Sequence, residues 1–168
     1  MNAKDILMYG NRTVLMTLKD VPDEEWETKG VCGIWSVKEI VAHLSSFEYI
    51  LVEVLNTFLG GKPGPHMISW GESGQKFNEV QVAKRQSMSA EEVMEEYERI
   101  QGQTMDLIAR IPVETLRRAG SIPWYGPEYA LDDLIVYAFY GHKREHCSQI
   151  NVFKDKITGK WLEELSAA

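Results

Sequence analysis

Two cysteines in 168 residues are too few to staple a fold. A cytosolic setting would in any case keep Cys32 and Cys147 reduced, so no disulfide framework is expected. Cys147, directly after His146, reads as a buried inert thiol. Long apolar runs are also missing. The longest, residues 135–140, stops at Gly141, well short of the ~20 residues that span a bilayer. The N-terminus, Met1-Asn2-Ala3-Lys4-Asp5, lacks the basic-then-apolar pattern of a signal peptide, so a cytosolic protein with no membrane partner is expected. Positive charge is scarce as well. Lysine and arginine number 18 against 25 acidic residues, a net charge of −7, and the longest basic cluster is Lys143-Arg144. That excludes a phosphate-backbone binder, which needs a basic stripe to release counterions. Alternating strand-type runs are absent too: Val, Ile and Thr are spread through helix-period patterns.

What the chain does contain is helical periodicity. Its length predicts one domain with one core across residues 1–168. A first helix is predicted over residues 3–18. The second opens on an S-x-x-E capping box, Ser36 with Glu39, and continues through Ile40, Leu44, Phe47, Leu51, Val54, Leu55 and Phe58 until Gly60-Gly61. The glycine- and proline-rich residues 60–74 read as a loop carrying His66 and Trp70, with His66 as a solvated loop residue. A short helical piece follows near residues 77–86. Ser89 and Glu92 form another capping box that opens a helix over residues 90–111, before Pro112. A second aromatic loop carries Trp124 and Tyr125, and the last helix is predicted over residues 131–157. Four long helices with connections long enough to cross over predict an all-α four-helix bundle.

Three histidines carry the chemistry. His142 and His146 stand at i and i+4, so on a helix both imidazoles leave the same face. They continue the apolar stripe of Leu131, Ile135, Ala138 and Phe139 towards Ile150 and Phe153. Each buried neutral ring brings two polar nitrogens that need partners, and one metal ion would satisfy a nitrogen of each. His43, one turn into the capped second helix, can add a third ligand if the fold brings the helices together. Three imidazoles leave at least one coordination position open, as catalytic metal sites do. Core histidines with ordinary hydrogen bonds are the alternative.

The segment Trp35-Ser36-Val37-Lys38-Glu39-Ile40-Val41-Ala42-His43-Leu44 resembles the W-S-x-x-E-I-x-x-H-L signature of the DinB-like superfamily. Gly141-His142-Lys143-Arg144-Glu145-His146-Cys147-Ser148-Gln149-Ile150 is similar to that family's closing H-x-x-x-H-x-x-Q-I motif. Phe77-Asn78 and Ser89-Ala90-Glu91-Glu92 fit its middle section. The resemblance implies a four-helix bundle with an unusual connection order and often a homodimer. It also implies a divalent metal held by His43, His142 and His146.

A cation on three neutral imidazoles keeps its full charge, and Zn²⁺ is expected first with Ni²⁺ next. It can activate water, which points to a hydrolase. It serves a thiol equally well, and relatives that this chain resembles include S-transferases using low-molecular-weight thiols. Either way the expected partner is a small-molecule substrate, with no nucleic acid. Glu145 is the candidate general base. Glu39 and Gln149 are candidates to orient His43 and His146, and the loops of Trp70 and Trp124 are candidate pocket walls. The competing class is a non-catalytic bundle, binding a small molecule or serving as a dimeric scaffold, with the metal structural or absent.

Overall fold

The computed structural model describes residues 2–159, apart from the side chain of residue 75. Four long helical stretches form the body. Helix α1 (Ala3–Lys19) begins where the Asn2 side chain accepts the backbone N–H groups of Lys4 and Asp5. Helix α2 (Val37–Phe58) opens on the expected capping box, with Ser36 and Glu39 each bonded to the other's backbone N–H. Two shorter helices, α3 (Pro65–Ser73) and α4 (Gln75–Ala83), precede α5 (Ala90–Ile108), which carries the second box at Ser89 and Glu92. After the short α6 (Val113–Leu116), the final stretch comprises α7 (Leu131–Leu134), a π-helical segment (Ile135–Tyr140) and α8 (Gly141–Thr158). No strand occurs among the described residues, only an isolated bridge between Cys32 and Trp35. Among the described residues no helix is long and apolar enough to cross a membrane.

Packing does not follow chain order. Helix α2 lies chiefly on α5, and α1 lies chiefly on α8 and the π-helical segment. Of the consecutive long helices only α2 and α5 are main neighbours; α1 packs on α8 rather than on α2, and α8 on α1 rather than on α5, so the chain crosses the bundle between them. The core is in two apolar halves. One gathers Leu7, Leu51, Leu55, Ile108, Leu134 and Phe139; the other gathers Val14, Ile40, Leu44, Tyr97 and Ile150. Between them runs a polar layer containing Glu48, Thr104 and Lys143, all buried.

Four sequence expectations need correction. The glycine-rich residues 60–74 are not all loop, because α3 occupies nine of them. Pro65 supplies a preset φ at the first helical position, and Glu53 of α2 accepts the backbone N–H groups of His66 (3.2 Å) and Met67 (2.7 Å). That cap comes from another helix, so local sequence could not show it. Helix α5 ends at Ile108 rather than 111. The last helix is not regular α throughout: six residues before α8 are π-helical. Lys143, counted in the sequence with Arg144 as the longest basic cluster, is 3% exposed.

Candidate metal centre

His43 and His146 are buried and His142 is half-buried. Helix α2 delivers the first and α8 the other two, one turn apart. The Nε2 atom of His142 lies 2.8 Å from Nε2 of His43 and 2.9 Å from Nε2 of His146. One ring nitrogen from each of the three histidines lies within 4.8 Å of the other two, a group that could hold a metal ion.

Protons pair this cluster only in part. The Nδ1 atom of His146 lies 2.8 Å from Oε1 of Gln149, an oxygen that only accepts, so Nδ1 carries the hydrogen. In the neutral ring Nε2 of His146 then presents a lone pair. A hydrogen on His142 Nε2 can be donated to that lone pair, but it leaves no complementary bond for His43 on the other side. If His142 Nε2 instead presents its own lone pair, it faces that of His146. A cation at the meeting point accepts all three lone pairs at once, and the donor set therefore fits a divalent metal.

The surroundings keep the rings neutral. Burial, with the neighbouring histidines adding to it, lowers the pKa of His43 from 6.5 to about 2. Burial, then His146 and Lys143, lowers that of His142 to about 3. Burial also lowers His146, opposed by its bond to Gln149 and by the Glu145 carboxylate. Aromatic rings supply the low-dielectric wall. Trp35 lies 4.8 Å from the His43 ring, and Phe47 lies 4.8 Å from His43 and 4.3 Å from His142, centroid to centroid.

The other candidates divide. Gln149 holds His146 as anticipated. Glu39 does not orient His43; its carboxylate is taken up by Ser36 N–H (2.8 Å) and the Lys29 ammonium (2.5 Å). Glu145 is exposed, close enough for its charge to act on His146 and on the thiol of Cys32. His66 is not a free loop residue, since Glu53 binds its Nδ1 at 2.7 Å and Tyr49 stacks on it at 4.5 Å. Neither it nor either cysteine belongs to the histidine cluster.

Trp70 and Trp124 do wall a cavity of about 510 Å³, together with Pro63, Met67 and Ile68. No histidine lines it. Phe47 stands between, with its ring 6.1 Å from that of Trp70 and in contact with His142. The roles of Trp35 and Phe47 were missed in the sequence, where both read only as apolar helix or motif positions. Glu48 and Lys143 were also missed, although a signal existed. Glu48 continues the stripe of Val41 and Leu44 towards Leu51 and Leu55, and Lys143 that of Phe139 towards Cys147 and Ile150. Opposite charges on two buried stripes announce a buried pair.

A sequence model described as the DinB superfamily matches residues 9–150. Comparison with curated proteins and with solved structures yields no match.

Proposed function

The chain belongs to the DinB superfamily, and on that footing we propose that it holds a divalent metal ion through His43, His142 and His146 and acts on a small molecule. The single observation that carries this reading is the convergence of one ring nitrogen from each of three histidines, all within 4.8 Å of one another. Zn²⁺ is the first candidate and Ni²⁺ the next, because imidazole suits both. When bound, such an ion supplies Lewis-acid activation of water or of a thiol.

The chain's own groups do the rest. Gln149 fixes the His146 tautomer so that Nε2 faces the cluster. Trp35 and Phe47 exclude water from one side, which strengthens every charge interaction within. Glu145, exposed beside His146, is assigned the removal of a proton from the attacking water or thiol. The Trp70–Trp124 cavity is assigned the apolar body of the substrate, with a Phe47 rotamer change joining it to the histidines. Hydrolysis and thiol transfer share this arrangement and differ only in the nucleophile. A homodimer is part of the proposal, and light scattering checks it.

A second reading, a non-catalytic bundle, is favoured by one feature: none of the histidines lines the Trp70–Trp124 cavity. Elemental analysis of protein purified without a nickel column, followed by turnover of an electrophilic aryl chloride with and without a low-molecular-weight thiol, separates the two. Stoichiometric metal with metal-dependent turnover is expected. Metal without turnover of that substrate or of simple esters supports the scaffold, and no metal in any preparation ends the proposal.

A further inference from the structure

The two helices that carry the three histidines are not each other's principal neighbours: α2 lies on α5 and α8 on α1. Something other than extensive packing must therefore hold them in register. A metal site tolerates displacements of only about 0.5 Å before its geometry is lost.

The polar layer between the two halves of the core contains a direct link between these helices. Lys143 Nζ of α8 lies 2.5 Å from Glu48 Oε1 of α2, with side chains 4% and 1% exposed. The second carboxylate oxygen of Glu48 accepts the Thr104 hydroxyl of α5 at 2.8 Å. The Lys143 ammonium sits 5.6 Å from the centre of the Tyr97 ring, also on α5. On α1, Gly10 makes room: a Cβ there would lie 3.1 Å from Tyr140 and 3.5 Å from the Lys143 stem. All four long helices meet at this one ion pair.

We propose that the Lys143–Glu48 pair is the positioning device of the histidine cluster, setting the rotation of α8 against α2. The inference rests on the metal reading above. Lys143 is the residue after His142, so any slip that rotates α8 by one residue, about 100°, must break the pair. The π-helical segment that ends at Tyr140 shifts the phase of α8 relative to α7, so the register of the histidines is not that of one continuous α-helix. Stability is not the reason for burying two charges: an apolar pair of similar volume commonly serves as well or better. A short link between α8 and α2 is what the ion pair adds.

The test replaces the pair by apolar residues, Glu48→Leu with Lys143→Met, and compares the double variant with wild type. Urea unfolding reports the fold, zinc affinity is measured by competition with a chromophoric chelator, and the visible spectrum of the Co²⁺-loaded protein reports ligand geometry. The double variant is expected to unfold at a urea midpoint no lower than wild type, yet to bind Zn²⁺ about 10–100-fold more weakly, as losses of orienting groups do. Its Co²⁺ bands should shift or weaken. Wild-type zinc affinity and an unchanged Co²⁺ spectrum in a folded double variant would overturn the proposal. If the double variant does not fold, Glu48→Asp decides. It keeps both charges but shortens the acid, so unchanged zinc affinity and spectrum overturn the proposal and a loss of either supports it. If wild type binds no zinc or cobalt, the metal reading itself fails and the positioning role falls with it. The two failures are thereby distinguishable.

Discussion

Two buried polar clusters sit side by side on α2 and α8, and they are solved in opposite ways. At Glu48 and Lys143 the chain supplies both charges, and Thr104 takes the remaining carboxylate oxygen. At His43, His142 and His146 it supplies three neutral ring nitrogens drawn together and walled by Trp35 and Phe47, with no counter-charge among them. The difference teaches which buried polar group is structural and which calls for a ligand. A cluster with its own counter-charge is balanced within the chain, whereas a cluster of neutral ring nitrogens could hold a cation from outside it.

The comparison breaks most sharply at His142, whose Nε2 touches both of the other two. Replacing His142 by alanine is expected to abolish stoichiometric Zn²⁺ binding, leaving two nitrogens on separate helices. Elemental analysis showing equal metal content in wild type and variant would refute the ligand assignment.

Acid should separate the clusters next, in metal-free protein. The unfolded chain protonates its histidines near 6.5, whereas folded His43 and His142 resist until about 2 and about 3. Between those values the unfolded state binds more protons, so stability falls as pH falls from about 6.5. Each of the two histidines contributes at most about 1.4 kcal/mol per pH unit. Urea midpoints from pH 7 to pH 4.5 check this, and a flat profile is the adverse result. Zinc should restore much of the loss near neutrality and progressively less as protons displace it.

Truncating Lys143 to alanine attacks the self-sufficient cluster. It strands the Glu48 carboxylate in the core and is expected to cost about 3–5 kcal/mol of stability, with or without metal. A loss below 1 kcal/mol in denaturant titration would show that the carboxylate has found water or a proton instead.

Gln149→Leu sharpens the comparison from the other side. The His146 tautomer loses its anchor, and zinc affinity is expected to drop about 10–100-fold with little change in the fold. Isothermal titration that finds wild-type affinity would remove Gln149 from the site. The smallest effect is expected at His66. Its replacement by alanine leaves zinc affinity unchanged and costs about 1–2 kcal/mol for the lost bond to Glu53, as read by the same denaturant titration.

The readings that succeeded from sequence and those that failed have physical reasons. Both capping boxes are local, four-residue patterns, and both formed where Ser36 and Ser89 stood. The His142–His146 pair is likewise local, one turn of one helix. Glu39 shows the limit of local reading: it could face His43 or close its cap, and Lys29, ten residues upstream, fills its second oxygen. Helix α3 was hidden because its cap, Glu53, lies on another helix.

The sequence by itself determined the helical class, the two boxed helix starts, the absence of a basic surface and the i, i+4 histidine pair. Each of these depends on composition or on contacts within a turn or two of the chain. Only the tertiary structure decided that His43 meets the pair, that Phe47 separates it from the Trp70–Trp124 cavity, and that Lys143 is buried against Glu48. Those outcomes depend on how α8 is rotated after the π-helical segment and on which helix packs on which. A periodic pattern shows that a face is buried without naming the helix that covers it.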